Sequence, residues 1–215
     1  MLHVIWDLVS GSMNECENKT IDYYNTHAKE FQQSVQDANM TEMCDRFLEH
    51  LAVSSSILDL GCGTGRDSIY FISRGHIVTP VDASAEMCKI AEENTGVRVR
   101  QLRFENLDYF EAFDGIWACA SLLHVDRENI PIVLKKINRS LKKNGVLYMS
   151  YKYGSRSEER NGRFFTDMNE EDIPFLCSKE TRLEIMEYSI TEDVRPDRKG
   201  DRWLNLFVKK EKCCE

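Results

Sequence analysis

The feature that most constrains this chain is a short apolar run that leads into three closely spaced glycines. The run reads Ile57-Leu58-Asp59-Leu60-Gly61-Cys62-Gly63-Thr64-Gly65. Its apolar residues predict a buried strand, and the glycines tolerate the positive φ and close ligand approach that a Cβ atom would block. A helical pattern follows to Arg74-Gly75, and a second strand, His76 to Val81, is followed by Asp82. This strand–loop–helix–strand order indicates a nucleotide-cofactor site in a doubly wound fold.

Glycine spacing and one acid distinguish between cofactor classes. In dinucleotide dehydrogenases the third glycine stands three residues after the second, and a pyrophosphate lies at the helix N-terminus. Here Gly65 stands only two residues after Gly63. The carboxylate of Asp59 would also repel a pyrophosphate, whereas it suits a ligand that carries an ammonium group. The pattern therefore disfavours a dinucleotide.

The stretch from Leu58 to Gly65 resembles the first motif of the class I S-adenosylmethionine-dependent methyltransferases. Residues 113–124 look like the fourth strand of that family and the turn at its end. Residues 141–148 resemble its helix–turn–strand segment, with Asn144-Gly145 in place of the usual Pro-Gly. The resemblance covers residues 57–152, and residues 65–78 look most like the tellurite-resistance and small-molecule branch.

The resemblance implies an α/β fold. We expect a Rossmann-like, doubly wound, seven-stranded sheet, mostly parallel with the last strand antiparallel, and helices on both faces. The predicted organisation is an added tag or fused peptide at 1–12, an N-terminal helical lid at 13–53 and a methyltransferase domain at 54–215. Further segments predicted from the patterns are helices at 20–36, 41–51 and 170–178, strands at 97–102, 182–191 and 203–209, and a polar insertion at 155–167.

The same resemblance assigns the cofactor-binding residues. Gly61 and Gly63 would pass under the methionine part of S-adenosylmethionine, Asp59 would lie near its ammonium group, and Asp82 would bind the ribose hydroxyls. Residues 103–107 stand where such enzymes hold adenine. The complete prediction for the cofactor is Asp59, Gly61, Cys62, Gly63, Thr64, Gly65, Arg66, Asp82, Ala83, Phe104, Glu105, Asn106, Ala118, Cys119 and Ala120.

The implied chemistry is an in-line displacement at the sulfonium methyl group, with S-adenosylhomocysteine as product. The enzyme must align the acceptor and exclude water. His124 is the first candidate for a base, because it follows the fourth strand and an unperturbed histidine titrates near pH 6.5. The fifth strand ends near two further catalytic candidates, Lys152 and Tyr153.

Acceptor recognition is expected at the carboxyl ends of the strands and in the loops beyond them. The predicted substrate-binding residues are Tyr23, Tyr24, His27, Ser121, His124, Lys152, Tyr153, Arg163, Arg195, Arg202 and Trp203. Two alternatives stay open at this point. The aromatic face of the first helix packs as core, covers the cofactor, or does both. The arginines form either an anion pocket or a solvated surface of mixed charge.

Composition limits the partners. A net charge of −8 argues against broad binding to nucleic acid. The 8 cysteines are scattered without metal-ligand spacing and read as reduced thiols, so no metal is expected. The sequence shows no secretory signal or membrane-spanning stretch, and we expect a cytoplasmic monomer or homodimer without membrane contact.

We therefore expect an S-adenosylmethionine-dependent methyltransferase that acts on a small polar or anionic molecule or a short peptide. One alternative is a tellurite-resistance-type enzyme that methylates an oxyanion or a soft nucleophile. A second is a non-catalytic module that keeps the fold as a binding scaffold. The intact Asp59, Gly61, Gly63, Gly65 and Asp82 disfavour that scaffold.

Overall fold

The computed structural model describes residue 15 and residues 17–211. The segment predicted to be a tag or fused peptide, residues 1–12, lies outside the described residues. The helices are α1 at residues 17–26, α2 Ala28–Val35, α3 Thr41–Leu48, α4 Arg66–Ser73, α5 Ala85–Thr95, α6 Ile130–Ser140 and α7 Ile173–Leu176. Within this part of the chain, no helix is long and apolar enough to cross a lipid bilayer.

Seven strands form one sheet in the order β3-β2-β1-β4-β5-β9-β8. Their bounds are β1 Ser56–Leu60, β2 Ile77–Asp82, β3 Arg100–Gln101, β4 Phe113–Ala118, β5 Leu141–Lys152, β8 Leu183–Glu192 and β9 Arg202–Lys210. The first five strands pair in parallel, and β9 runs antiparallel to both β5 and β8. The predicted fold class, including the antiparallel last strand, is confirmed.

The sheet buries both of its faces, because neighbouring residues of a strand point to opposite sides. In β1, Leu58 packs in the cluster that includes α6 and α7, whereas Ile57 packs with α3 and α4. On the second face the rings of Trp117 and Tyr148 stack at 3.9 Å between centroids. Helices thus cover both faces, and the carboxyl ends of the parallel strands share one edge of the sheet.

Four predicted segments differ in detail. The expected helix at 20–36 is broken at His27, whose ψ of 26° separates α1 from α2. The helix expected at 170–178 is a 3₁₀ turn, Glu170–Asp172, followed by the short α7. The strand expected at 97–102 shortens to β3. The polar insertion contains a hairpin of β6 Ser157–Arg160 and β7 Arg163–Thr166.

Candidate functional site

The loop after β1 has the tight conformation that its glycines predict. The backbone N–H groups of Gly61 and Cys62 both donate to the Val81 carbonyl at 2.9 Å, which folds the loop back onto β2. Gly61 has a φ of +79°, and a Cβ atom there would lie 2.5 Å from the Cβ of Ser121. Only glycine therefore fits at position 61, because both the backbone angle and the neighbouring side chain exclude a larger residue.

The predicted ribose acid, Asp82, supports this loop. Its carboxylate accepts hydrogen bonds from the Gly63 N–H and the Ser84 N–H, each at 2.9 Å. Burial raises the pKa of Asp82, and these backbone donors oppose that rise. The acid at the end of β2 thus faces the glycine loop, as its place in the sequence predicts.

A second acid lies under the loop in a less polar setting. The side chain of Asp59 is buried and accepts a 2.6 Å hydrogen bond from the Ser68 hydroxyl. Burial, with a smaller effect from the charge of Asp67, raises the pKa of Asp59 to about 7. An ammonium group beside this carboxyl would offset the cost of its charge, so the residue suits a ligand of that kind.

These groups open into a cavity of about 630 Å³. That volume lies within the usual range for sites that bind small molecules and cofactors. Its lining includes these predicted residues: Asp59, Gly61, Cys62, Gly63, Thr64, Arg66, Asp82, Ala83, Phe104, Cys119, Ala120, Tyr23, Tyr24, Ser121, His124, Lys152, Arg163, Arg195 and Trp203. One cavity therefore brings together the cofactor loop and most of the predicted acceptor residues.

Other predicted residues do not line this cavity; they are Gly65, Glu105, Asn106, Ala118, His27, Tyr153 and Arg202. Tyr153 instead donates to Glu170 at 2.8 Å and lies beneath the guanidinium of Arg202. His27 stacks on the ring of Tyr23 from the outer side of the helix. Direct roles for these residues remain predictions without support from the cavity.

Helices α1 and α2 line one side of the cavity, and we call these two helices the lid; that they close over a bound cofactor stays a prediction. The side chain of Asn25 accepts a 2.8 Å hydrogen bond from the Ser84 hydroxyl, next to the ribose acid. On the opposite edge, the Phe164 N–H donates to the Thr20 hydroxyl at 3.0 Å. The lid thus contacts both the loop after β2 and the hairpin β6–β7, and sequence reasoning missed both Asn25 and Thr20.

The imidazole of His124 is held on both sides. Its Nδ1 lies 2.6 Å from the Phe164 carbonyl, which can only accept, so the proton of the neutral ring sits on Nδ1. Its Nε2 then accepts from the Tyr24 hydroxyl at 2.9 Å. Burial lowers the pKa of His124 to about 4, so the ring is neutral at pH 7 and a weaker base than expected. This hydrogen bond from Tyr24 joins His124 to helix α1.

Three predicted cations already have carboxylate partners. Lys152 binds Asp201 at 3.0 Å. Arg195 binds Asp193 through two hydrogen bonds of 2.9 and 2.6 Å. Arg66 binds its neighbour Asp67 at 2.7 and 2.9 Å. The buried Asp193 also accepts from Trp203 Nε1, and these bonds outweigh burial and hold the pKa of Asp193 at about 2.

The floor of the cavity contains polar residues that the sequence analysis missed. Tyr148 donates to Asn205 at 2.7 Å, and the Ser150 hydroxyl accepts from the Ala120 N–H at 2.8 Å. Strand periodicity could have identified them. Tyr148, Ser150 and Lys152 occupy every second position of β5 and so lie on one face of the sheet. Asn205 of β9 pairs with Ser150 of β5.

Comparisons with known proteins agree with this geometry. Residues 57–145 match the family model described as a methyltransferase domain. The chain is 32% identical over 129 residues to a malonyl-[acyl-carrier protein] O-methyltransferase of Erwinia pyrifoliae, covering 57% of this chain and 48% of that protein. It is 33% identical over 141 residues to an 18S rRNA (guanine-N(7))-methyltransferase of Schizosaccharomyces pombe, covering 58% and 47%. The chain spans about half the length of the curated relatives it matches.

Solved structures share the whole architecture. A 1,6-didemethyltoxoflavin-N1-methyltransferase of Burkholderia thailandensis, bound to its substrate and S-adenosylhomocysteine, superposes with a TM-score of 0.78 at 22% identity. That match covers 93% of this chain and 91% of the other. A magnesium protoporphyrin IX methyltransferase of Synechocystis with bound S-adenosylhomocysteine gives a TM-score of 0.72 at 16% identity, covering 92% and 100%. At these identities the likeness establishes the fold alone.

Proposed function

We propose that this chain, a class I S-adenosylmethionine-dependent methyltransferase by family, transfers the sulfonium methyl group to a small polar or anionic molecule or a short peptide. The observation that carries the proposal is the shared cavity. It is lined by the glycine loop and Asp82 on one side, and by Tyr24, His124 and Arg163 on the other. A cofactor and an acceptor bound there would lie side by side.

The residues present fit the cofactor. Asp82 has the position expected of a ribose acceptor, and Asp59 has a raised pKa that an ammonium group would lower again. Phe104 is the residue of the adenine segment that reaches the cavity, because the 3₁₀ turn Phe104–Asn106 directs its neighbours elsewhere. When bound, S-adenosylmethionine supplies a methyl group that is already activated by the positive sulfur.

The protein then has to position the acceptor, exclude water and accept a proton where the acceptor releases one. Helices α1 and α2 line one side of the cavity, where they would limit the access of water. For the proton, the Tyr24–His124 pair offers a hydroxyl that faces the cavity, with a neutral imidazole nitrogen behind it at 2.9 Å. We propose that Tyr24 is the contact to the acceptor and that His124 holds its hydroxyl in place.

Two relatives named above differ in acceptor, since one name specifies malonyl-[acyl-carrier protein] and the other 18S rRNA. For this chain, the net charge of −8 favours a small molecule or short peptide over RNA, and a cavity of about 630 Å³ suits a small acceptor. A cytoplasmic monomer or homodimer is the working expectation.

The test is methyl transfer from radiolabelled S-adenosylmethionine to a panel of small carboxylic acids, amines, thiols, short peptides and total RNA. We expect S-adenosylhomocysteine to form with at least one small acceptor or peptide. The Asp82→Ala variant should lower the rate at least about tenfold at subsaturating cofactor. Labelling of RNA alone, or absence of cofactor binding by calorimetry with NAD as comparison, would contradict the proposal.

A further inference from the structure

Five cationic side chains line the cavity, and their partners differ. They are Arg66, Lys152, Arg163, Arg195 and Arg198. Four of them lie within 4 Å of a carboxylate oxygen, namely Arg66 at Asp67, Lys152 at Asp201, Arg195 at Asp193 and Arg198 at Asp197. Arg163 has no such partner among residues 17–211, so it is the lining cation whose charge the described protein leaves uncompensated.

The guanidinium of Arg163 lies between aromatic rings. Its Cζ is 4.5 Å from the ring centroid of Tyr23 and 5.2 Å from that of Phe165. Its polar contact is a long one of 3.4 Å, from Nη1 to the Tyr24 hydroxyl, and its Nε is buried with no acceptor in the described structure. A guanidinium has five N–H donors, and most of those of half-buried Arg163 have no acceptor in the described protein, so they can bind a ligand oxygen.

The residues on both sides of Arg163 contact neighbouring parts of the protein. Asn161 and Gly162 form the turn of the hairpin with φ values of +51° and +76°. A Cβ atom at Gly162 would lie 3.1 Å from the ring of Tyr23, so the turn sits directly against the lid. Phe164 directly follows Arg163; its N–H donates to Thr20 and its carbonyl accepts from His124. These contacts fix the backbone from which the Arg163 side chain extends to the cavity.

A second arginine lies nearby, but acidic side chains pair with it. The guanidinium of Arg160 lies 4.6 Å from the ring centroid of Phe165, and its carboxylate partners are Asp167 and Glu158. Burial is the main cause of the lowered pKa of His124, and the charges of Arg163 and Arg160 lower that pKa further. Because Arg160 is paired with these acids, the positive charge beside Tyr24 that has no carboxylate partner within residues 17–211 is that of Arg163.

We propose that Arg163 binds an oxyanion, a carboxylate or phosphate, of the methyl acceptor, and that the planar part of the acceptor lies along the aromatic residues Tyr23, Tyr24 and Phe165. Guanidinium binds both oxyanions through paired, charge-assisted hydrogen bonds. The assignment rests on the proposed function, because it identifies the oxyanion as part of the molecule that is methylated.

Calorimetry on the protein saturated with S-adenosylhomocysteine tests this assignment. The probes are benzoate, phenyl phosphate and the neutral benzamide. We expect benzoate or phenyl phosphate to bind and benzamide to bind at least about tenfold more weakly. The preferred anion identifies the acceptor group as carboxylate or phosphate. Equal affinity for all three probes, or no binding of either anion, would overturn the proposal.

Variants separate this site from its surroundings. Arg163→Gln should weaken anion binding at least about tenfold, and Arg163→Lys should lose less because it keeps the charge. The control is Arg156→Gln, immediately before the same hairpin, since that side chain is 76% exposed and lies off the cavity. It should leave anion affinity unchanged.

The affinity of each variant for S-adenosylhomocysteine shows whether the variant is folded and distinguishes two failures. The proposal expects Arg163→Gln to bind S-adenosylhomocysteine within about twofold of the wild type. A matching loss of affinity for S-adenosylhomocysteine would instead assign the guanidinium to the carboxylate of the cofactor and overturn the inference. If the wild type itself fails to bind S-adenosylhomocysteine, the proposed function fails as well.

Discussion

The two sides of the cavity are built from different kinds of contact. The loop side, residues 59–64 and 82–84, comes from neighbouring strands and is held mainly by backbone hydrogen bonds. The lid side comprises α1, α2, the hairpin β6–β7 and the ends of β5 and β9, and side chains far apart in sequence hold it together. The structure of the loop side therefore depends mainly on its backbone conformation. The structure of the lid side depends mainly on contacts between charged and aromatic side chains.

The largest expected loss of stability comes from adding one methyl group to the loop side. Gly61→Ala should lower the free energy of unfolding by about 2–4 kcal/mol, because the new Cβ meets Ser121 and the φ is positive. Gly75→Ala is the matched control, with a φ of +85° and no atom within 4 Å of the added Cβ. It should cost about 1 kcal/mol in urea unfolding. Equal losses would show that the loop is not tightly packed.

On the lid side, His124 should make the free energy of unfolding depend on pH. The pKa of His124 is about 4 in the folded protein and near 6.5 unfolded, so the unfolded state takes up the proton first. Stability from the neutral ring is complete above pH 6.5 and is lost as pH falls towards 4, by about 3 kcal/mol.

His124→Gln provides the comparison, because its amide can still donate to Phe164 and accept from Tyr24 without titrating. Relative to the wild type, the variant should gain stability as pH falls from 6.5 to 4. The measurement is urea unfolding at several pH values. Parallel stability curves for the two proteins would contradict the lowered pKa.

On the loop side, Asp82→Ala should weaken binding of S-adenosylhomocysteine by more than about tenfold. The carboxylate orders the loop through Gly63 and is the proposed ribose acceptor, and Asp82→Asn should lose less because it keeps one acceptor oxygen. Asp108→Ala removes an exposed acid off the cavity and serves as the control. Unchanged affinity for Asp82→Ala by calorimetry would remove the ribose assignment.

The smallest effect concerns Asp59. Its pKa of about 7 lies above the unfolded value, so its contribution to stability is complete below about pH 4 and is lost as pH rises through 7. An ammonium group beside it would ionise it, so binding of S-adenosylhomocysteine at pH 7 should release about half a proton. Calorimetry in buffers of different ionisation enthalpy measures this release. Asp59→Asn should abolish it, and a release that persists in the variant would exclude Asp59 as the source.

The sequence predicts the loop side well because its contacts are local. Asp59, the glycines and Asp82 belong to one strand–loop–helix–strand unit, so their relative positions follow from that unit, whereas their roles come from the family resemblance. The adenine segment is only partly predictable. A 3₁₀ turn brings Phe104 to the cavity and leaves Glu105 and Asn106 off it, and no periodic signal distinguishes the three.

The lid side is harder to predict because it depends on pairing. Arginines and acids alternate along the insertion and the loop before β9, and the sequence does not show that Arg195 pairs with Asp193 whereas Arg163 has no acid. Tyr24 and His124 are 100 residues apart in sequence, and burial changes the pKa of the histidine. The hairpin was predicted only as a polar insertion because its strands are short and half-exposed.

The most direct test is a crystal structure of the protein with S-adenosylhomocysteine. We predict that the ribose hydroxyls contact Asp82, that the amino group lies at Asp59, and that the sulfur faces the side of the cavity formed by Tyr24, His124 and Arg163. A ligand whose ribose lies away from Asp82, or whose sulfur faces away from Tyr24, would contradict the division of the cavity into these two sides.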